Sequence, residues 1–493
     1  MRLLQLLDAI DQHEQRHHRS GSIPDVEVRG LAYDSRRVES GDLFIALKGL
    51  KAQGADFAMD AIGRGAVAVV ADEKASGPTP VPWVVVRDAR TAMSALAAEF
   101  YTHPSRSMSV VGITGTNGKT TTAYLLRAVL EAAGRKCGLI GTVTYSLGDA
   151  TLPASRTTPE APDVQRMFRQ MVDAGCSACV MEVSSHALAL HRVDDTRFAA
   201  GVFTNLTRDH LDYHGDMESY FSAKRRLFEM LPRESPGVIN VDDPRGEALR
   251  KTLARAVTYA INKPADVTPG PLSLTFRGLA FEARTPKGIV GVDSQLVGRP
   301  NVSNILATIA TATALDVPTA SIERGLAALP GVPGRFEVVS GPQDDVTVVI
   351  DYAHTDDALK NLLETARPLA PRRVITLFGC GGDRDRTKRP LMGAVAARLS
   401  DVLVITSDNP RTEDPARIIE EIKRGLPGSD RATAACFTVI DRKEAIEFAI
   451  RKAEPGDLVL LVGKGHEKTQ TIGSREFPFD ETAIARRALE RRR

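Results

Sequence analysis

Cysteine is scarce here. Five in 493 residues leave no disulfide framework of the kind small secreted domains rely on. Cys176 and Cys179 make a single CxxC, without the second pair a zinc site needs or a thioredoxin-like setting. Two packed thiols at the start of a strand is the plainer reading. Long blocks of one charge are missing too. Lys and Arg number 64 against 62 Asp and Glu, a formal net charge of +2, which argues against a dedicated nucleic-acid binder. The basic ends, RRALERRR and HHRS, read as solvated helix and loop. No uncharged run is long enough to span a bilayer. The opening MRLLQLLDAIDQHEQ carries Asp8 and Asp11 within its apolar stretch, so it reads as an amphipathic helix and not a signal peptide. Internal repeats and low-complexity segments are absent. A cytosolic protein is expected, with no nucleic-acid partner and no membrane insertion.

What is present is an α/β pattern. The composition, 43% hydrophobic and 26% charged, suits ordinary soluble cores, and the length suggests three domains. Residues 1–105 alternate short apolar runs (GDLFIALKG, AVAVVAD, PWVVVRD) with helical stretches and read as a small α/β domain. Residues 106–336 carry the runs SVVGIT, VMEV, AAGVFTNL, GVINV and AVTYAI, the pattern of a mostly parallel sheet. After the Pro/Gly-rich ALPGVPGRF, residues 337–493 offer VTVVIDYAH, RVITLFGCGG, DVLVITSDNP and DLVLLVGKGHE as strands of a Rossmann-like domain. Polar, glycine-containing clusters repeatedly follow an apolar run: GTNGKTT, EVSSH, TNLTRDH, DYAH, GCGGDRDR, SDNPR and GKGHE. In open parallel sheets, ligands bind beyond the carboxyl ends of the strands, which is where such clusters would gather.

The stretch SVVGITGTNGKTTTAYLL resembles a phosphate-binding loop with altered spacing. Gly118, Lys119 and Thr120 are in place, but Ile113 holds the usual first glycine position, and Gly115 lies three residues before Gly118. The plain alternative is a glycine turn between strand and helix. As a phosphate loop, it would place Lys119 on the β/γ-phosphates and the Thr120 hydroxyl on Mg²⁺ at a helix N-terminus. Glu182, ending the run CVMEV, is either a second Mg²⁺ carboxylate or a strand-end salt-bridge partner. His210 could meet a metal or a phosphate. With His214 it forms HxxxH, a spacing suited to one helix face, yet no general-base Glu follows it as in HExxH. Mg²⁺ and ATP are therefore preferred to zinc hydrolysis. Lys224, beside Arg225 and Arg226, reads from its neighbours as an ordinary solvated helix lysine.

The motifs TGTNGKTT, EVSSHAL, FTNLTRDHLDYHG, GRPNVSNILA, PGRFE, DYAHT, GGDRDRTKRP, DNPRTEDP and GKGHE, in this order, resemble the Mur ligases. These are ATP-dependent amide ligases of peptidoglycan precursor synthesis. TGTNGKTT alone would be shared with folylpolyglutamate synthetase, which lacks the first domain. The later motifs resemble most the members that join meso-diaminopimelate to UDP-N-acetylmuramoyl-L-alanyl-D-glutamate through an acyl phosphate; an L-lysine-adding member is the nearest alternative. A non-catalytic, nucleotide-dependent scaffold is a third possibility in kind, opposed by the intact Lys119, Thr120, Glu182, Lys224 and Arg411.

The resemblance implies three domains, binding the UDP substrate, ATP and the amino acid in turn, and a monomer is expected. It implies uridine-nucleotide contacts at Tyr33, Ser35, Lys51 and Ala52, and an ATP loop of Gly115, Thr116, Asn117, Gly118, Lys119, Thr120 and Thr121. Muramoyl-peptide contacts fall on Thr157, Thr158, Ser184 and Arg192. Nearby, Arg156 and Leu190 stand where the family often has Asn and Gln. Asn301 and Asn304 match adenine-side contacts, and Arg335 and Asp351 match positions that approach the nucleotide after domain closure. The diaminopimelate site would be Arg384, Asp408, Asn409, Pro410, Arg411, Gly463 and Glu467. Lys224 matches a lysine carbamylated on its side chain, which would hold Mg²⁺ as an anion alongside Thr120, Glu182 and His210.

Overall fold

A computed structural model describes residues 1–12, 23–49, 53–427 and 434–493 of the chain. Lys51 and Ala52 lie outside the described residues. The chain forms two compact units. The first comprises Met1–Thr114, Gly134–Gly201 and Ala223–Gly237, and the second Gly115–Ala133, Val202–Ser222 and Val238–Arg493.

The first unit begins with a four-stranded parallel sheet in the order Gly30–Ala32, Asp42–Ala46, Ala68–Ala71, Trp83–Val85. The opening segment is an amphipathic helix, Leu3–Gln12. Leu3, Leu6, Leu7 and Ile10 are fully buried and Asp8 faces solvent, the i, i+3, i+4, i+7 stripe of a helix laid on a sheet. A second sheet places Ser109–Thr114 between Phe198–Phe203 and Ala178–Glu182, followed by Cys137–Ile140 and two short antiparallel strands, Thr144–Ser146 and Thr151–Pro153. Ser109–Thr114 and Ala178–Glu182 run parallel, with Ile113 opposite Glu182. That register carries the Glu182 side chain to the carboxyl end of the sheet, beside the strand that leads into the glycine loop. Cys176 and Cys179 are buried thiols at this strand, as expected from the sequence.

The second unit takes up the chain at Gly115. The helix Lys119–Ala132 packs on Arg299–Ala314 and Thr319–Ala328. An antiparallel group, Thr268–Pro269, Ser273–Thr275, Gly278–Thr285 and Gly288–Ser294, precedes them. The C-terminal part is a six-stranded sheet in the order Glu337–Val338, Thr347–Asp351, Leu458–Val462, Val374–Phe378, Val402–Ile405, Ala435–Thr438. All neighbours run parallel except the first pair. The strands Leu458–Val462, Val374–Phe378 and Val402–Ile405 are buried on both faces and are built almost wholly from Val, Ile, Leu and Phe, as a doubly covered parallel sheet requires. Their carboxyl ends deliver Cys380–Arg384, Ser407–Arg411 and Gly463–Glu467 to one edge.

Candidate active site

The glycine loop shows why its spacing is shifted. Ile113 is a buried strand residue, so the turn starts later. Gly115 has φ +148 and Gly118 φ +86. A Cβ at Gly115 would run into the Thr204 hydroxyl, and one at Gly118 into the Asn304 side chain. Each glycine thus answers both a backbone angle and a close approach. The TNL segment clamps the loop from outside. Thr116 N–H donates to the Asn205 carbonyl at 2.9 Å, Asn117 N–H to Asn205 Oδ1 at 2.9 Å, and Thr204 Oγ1 to the Asn117 carbonyl at 2.6 Å. Lys119 folds back over the loop, its Nζ donating to the carbonyls of Gly115 and Thr116 at 2.9 and 2.8 Å. Thr120 and Thr121 are buried in the first helical turn. The result is a backbone cradle with a fixed ammonium at a helix N-terminus, an arrangement suited to anions.

Asn301 and Asn304 share the first turns of the helix Arg299–Ala314. Asn304 Nδ2 donates to Asn301 Oδ1 at 2.9 Å, and Asn301 Nδ2 to the Val297 carbonyl at 2.8 Å. Arg335 reaches the loop from the start of the C-terminal part: its Nη2 donates to Thr120 Oγ1 at 3.2 Å, and its guanidinium lies 4.7 Å over the Tyr352 ring. Its buried Nε has no partner among the described residues. Asp351 accepts the backbone N–H groups of Phe336 and Ala353, each at 2.8 Å. Burial holds its pKa up, against the opposing pull of Arg335.

His210 corrects one expectation. It does not share a helix face with His214: its φ is 54, and it precedes the single-turn helix Leu211–His214. The left-handed residue turns the imidazole to Asp209, with Nε2 at 3.4 Å from Oδ2. Burial raises the Asp209 pKa, but His210, His354 and Lys388 outweigh it and leave the carboxyl below its usual range. His354 is held down by burial and by Lys388. Next to this group, Arg208 Nη2 donates to Thr387 Oγ1 at 2.6 Å, and Asn117 Nδ2 to Asp357 Oδ2 at 3.2 Å.

In the first unit, Glu182 is buried and Thr142 hydrogen-bonds both of its carboxylate oxygens. Thr142 N–H donates to Oε1 at 2.7 Å and Thr142 Oγ1 to Oε2 at 3.0 Å. Thr157 Oγ1 lies 3.1 Å from Thr142 Oγ1, and Thr158 Oγ1 donates to the Glu182 carbonyl at 2.8 Å. Ser184 caps the short helix Ser185–Ala189 through Ala187 N–H. Arg192 donates to the Thr158 carbonyl at 3.0 Å and pairs with Glu160 at 2.8 Å. Burial lowers its pKa, and Glu160 offsets part of that. Arg156 pairs with the same Glu160 at 2.8 Å, so this departure from the family pattern has a structural partner. Leu190 closes the Ser185–Ala189 helix. Tyr33 donates to Asp163 Oδ2 at 2.6 Å, and burial together with that acceptor pushes its phenol pKa up. Ser35 is buried at the start of a single 3₁₀ turn. Lys224 overturns the solvated reading: it is 1% exposed.

The third cluster sits at the edge of the six-stranded sheet. Asp408, Asn409 and Pro410 are buried, Arg411 is half-buried with φ 50, and its Nη1 donates to the Gly382 carbonyl at 2.8 Å. Glu413, two residues beyond Arg411, pairs with the buried Arg389 at 2.7 Å. Gly463 has φ 116 and its N–H donates to the Asp351 carbonyl at 3.0 Å. Glu467 Oε2 accepts Asn409 Nδ2 at 2.9 Å and Lys464 Nζ at 3.0 Å. Arg384 is exposed on the loop after Val374–Phe378. Beneath this edge Arg442, fully buried with Glu481, donates to the Ser407 and Val462 carbonyls. It ties together the ends of the strands that carry both turns.

Thr142, Thr204, Asn205, Arg389, Arg442 and Lys464 escaped the reading of the sequence. Thr204, Asn205 and Lys464 stand inside polar clusters that follow apolar runs, so the signal that found their neighbours also covered them. Among the described residues no group of three or more His, Cys, Asp or Glu side chains is gathered as a metal site. The Thr120 hydroxyl in the second unit and the Glu182 carboxylate in the first are each hard oxygen donors of the kind Mg²⁺ accepts. Among the described residues no helix is long and apolar enough to cross a membrane.

These loops and sheets have counterparts in known proteins. The Mur ligase middle domain matches residues 113–312, the Mur ligase glutamate ligase domain residues 334–465, and the Mur ligase family catalytic domain residues 27–101. The chain belongs to the Mur ligase family. Among its relatives, the UDP-N-acetylmuramoyl-L-alanyl-D-glutamate–2,6-diaminopimelate ligase of Solibacter usitatus is 48% identical, over 94% of this chain and 94% of its own. The ligase of the same name from Alkaliphilus metalliredigens is 44% identical over 99% and 97%. A solved structure of a ligase of that name superposes with a TM-score of 0.66 at 32% identity, covering 94% of this chain and 95% of its own.

Proposed function

We propose that this chain is a cytoplasmic, monomeric ligase that uses ATP to join meso-diaminopimelate to the D-glutamate of UDP-N-acetylmuramoyl-L-alanyl-D-glutamate, in peptidoglycan precursor synthesis. The observation that carries the amino-acid assignment is the pairing of two turns at one sheet edge. Arg411 is anchored on the Gly382 carbonyl and Glu467 on Asn409, so a fixed cation and a fixed carboxylate stand in one cluster. The far end of diaminopimelate carries both an ammonium and a carboxylate, whereas lysine carries only the ammonium. A planar guanidinium suits the carboxylate because it can donate two parallel hydrogen bonds.

Amide formation needs a better leaving group than oxide. The γ-carboxylate oxygen of the acceptor's D-glutamate attacks the ATP γ-phosphorus, ADP leaves, and an acyl phosphate results. The amine of diaminopimelate then adds to the acyl carbon, and collapse of the tetrahedral intermediate releases phosphate. Two anions meet in the first step, so charge stabilisation and alignment dominate. Lys119 is already bent over the loop and would meet the β/γ-phosphates. Gly115 to Thr121 supply backbone N–H groups, and Asn301 and Asn304 flank the adenine side. Arg335 and Asp351 belong to the nucleotide set, with Arg335 reaching the transferring phosphoryl group. Tyr33, Ser35, Lys51 and Ala52 would hold the uridine nucleotide, and Thr157, Thr158, Ser184 and Arg192 the muramoyl peptide. Thr120, Glu182, His210 and a carbamylated Lys224 would hold Mg²⁺, which when bound neutralises phosphate charge. Arg384, Asp408, Pro410 and Gly463 complete the amino-acid site.

The test is ADP release measured with each substrate omitted in turn. Release that needs ATP, the UDP-linked dipeptide and meso-diaminopimelate together supports the assignment. Release that proceeds without the UDP-linked acceptor, or with a folate in its place, overturns it.

A further inference from the structure

Among the buried charges that the mechanism above does not use, one lies inside the amino-acid cluster. Lys464, in GKGHE, is 0% exposed, and an ammonium is buried only where partners repay its lost hydration. Its Nζ donates to Asn409 Oδ1 and to Glu467 Oε2, each at 3.0 Å, and lies 3.8 Å from Asp408 Oδ1. The Phe479 ring closes one side, 5.8 Å away. All three polar partners belong to the proposed amino-acid site. Asn409 is fixed in turn, its Oδ1 also accepting Thr471 N–H at 3.0 Å and its Nδ2 donating to Glu467 Oε2 at 2.9 Å. The amide orientation is thus fully determined by its neighbours.

The consequence falls on Glu467. Both side-chain donors converge on its Oε2, and among the described residues its Oε1 receives none. The Glu467 side chain is 30% exposed while Lys464 is 0%, so Lys464 holds the carboxylate from beneath and leaves the other oxygen toward solvent. We infer that Lys464 is a positioning residue for amino-acid selection: it locks Glu467 by Oε2 so that Oε1 is presented to the distal ammonium of the incoming diaminoacid. This rests on the diaminopimelate reading of the site. Lys464 touches no reacting atom; it acts through Glu467.

The experiment compares two acceptor amino acids in the full-length enzyme: meso-diaminopimelate and 2-aminopimelate, which keeps the carbon chain and distal carboxylate but lacks the distal amine. The readout is the ratio of their kcat/KM values. Lys464→Met should lower the preference for diaminopimelate about tenfold or more, the usual worth of a charge-assisted hydrogen bond. A merely structural lysine would lower both kcat/KM values by the same factor and leave the ratio unchanged, which overturns the inference. Lys464→Met leaves two carboxylates uncompensated and could fail to fold, so the double variant Lys464→Met/Glu467→Gln is measured against Glu467→Gln alone. With Glu467 neutralised, losing Lys464 should change kcat/KM for diaminopimelate by less than about threefold, the scale of near-additive noise between sites. A larger further loss shows that Lys464 acts by another route and overturns the inference. Failure of the underlying reading looks different: the wild-type enzyme would then form no diaminopimelate-dependent product at all.

Discussion

Arg335 and Thr120 stand 215 positions apart in sequence, and the guanidinium of one donates to the hydroxyl of the other at 3.2 Å. The contact delivers a cation from the C-terminal part of the chain to the first helical turn of the phosphate loop. The Tyr352 ring supports it from behind at 4.7 Å. A cation so placed matters most when charge develops on a transferring phosphoryl group. Arg335→Ala should therefore lower kcat for ADP release on the order of 10²-fold, the scale of one lost transition-state charge contact. Steady-state kinetics at saturating substrates check this. A variant that changed only the KM for ATP would assign Arg335 to ground-state binding instead.

Lys224 is buried where its sequence neighbours suggest a solvated surface. A side-chain carbamate converts the cation into an anion able to hold Mg²⁺. Lys224→Ala should be nearly inactive, and short carboxylic acids added to the assay should restore part of the activity by replacing the missing anion. Full activity of the alanine variant contradicts the role, as does a crystal structure grown with bicarbonate in which Lys224 is an unmodified ammonium.

Glu413 supplies a pH test of the scaffold beneath the amino-acid site. Its hydrogen bond to the buried Arg389 holds its pKa at about 2, against an ordinary 4.5. A carboxyl with a depressed folded pKa stabilises the native state above its unfolded pKa, and that contribution fades as pH falls through the folded value. Thermal melting of wild type and Glu413→Gln should therefore differ at pH 6. The gap should narrow from about pH 4.5 downward and close near pH 2. A gap constant across that window removes the ion pair as its cause.

Arg411 should act on one substrate only. Arg411→Ala is expected to raise the KM for meso-diaminopimelate roughly 10²-fold, since charge-assisted pairs lost from a desolvated site cost about 2–3 kcal/mol. The KM values for ATP and the UDP substrate should stay within about twofold, the scatter expected of sites that do not couple. Comparable rises in all three would assign the arginine to the scaffold.

Much of this is legible in the sequence. The apolar runs VTVVI, VITLF, VLVI and LVLLV became the parallel core of the C-terminal sheet, and the polar clusters after them sit on its edge. The antiparallel strands Gly278–Thr285 and Gly288–Ser294 are harder to see in the sequence than the buried runs. Their alternating burial is the period-2 signal that would have found them. The charged neighbours of Lys224 suggest a solvated surface, but Tyr220, Lys224 and Leu227 stand on one helical face and are all buried. The HxxxH of His210 and His214 failed for the opposite reason, because a spacing counts only if the backbone between is helical. The burial of Arg389, Arg442 and Lys464 could not be recognised from sequence. Buried basic residues look like surface until long-range partners such as Glu413, Glu481 and Asn409 are in place.

The most direct test offers the wild-type enzyme ATP, the UDP-linked dipeptide and an equimolar mixture of meso-diaminopimelate and L-lysine, and identifies the product by mass. A site that pairs Arg411 with the distal carboxylate gives almost only the diaminopimelate product. Equal amounts of the two products, or a predominance of the lysine product, contradict the assignment of Arg411 and Glu467 as the selecting pair.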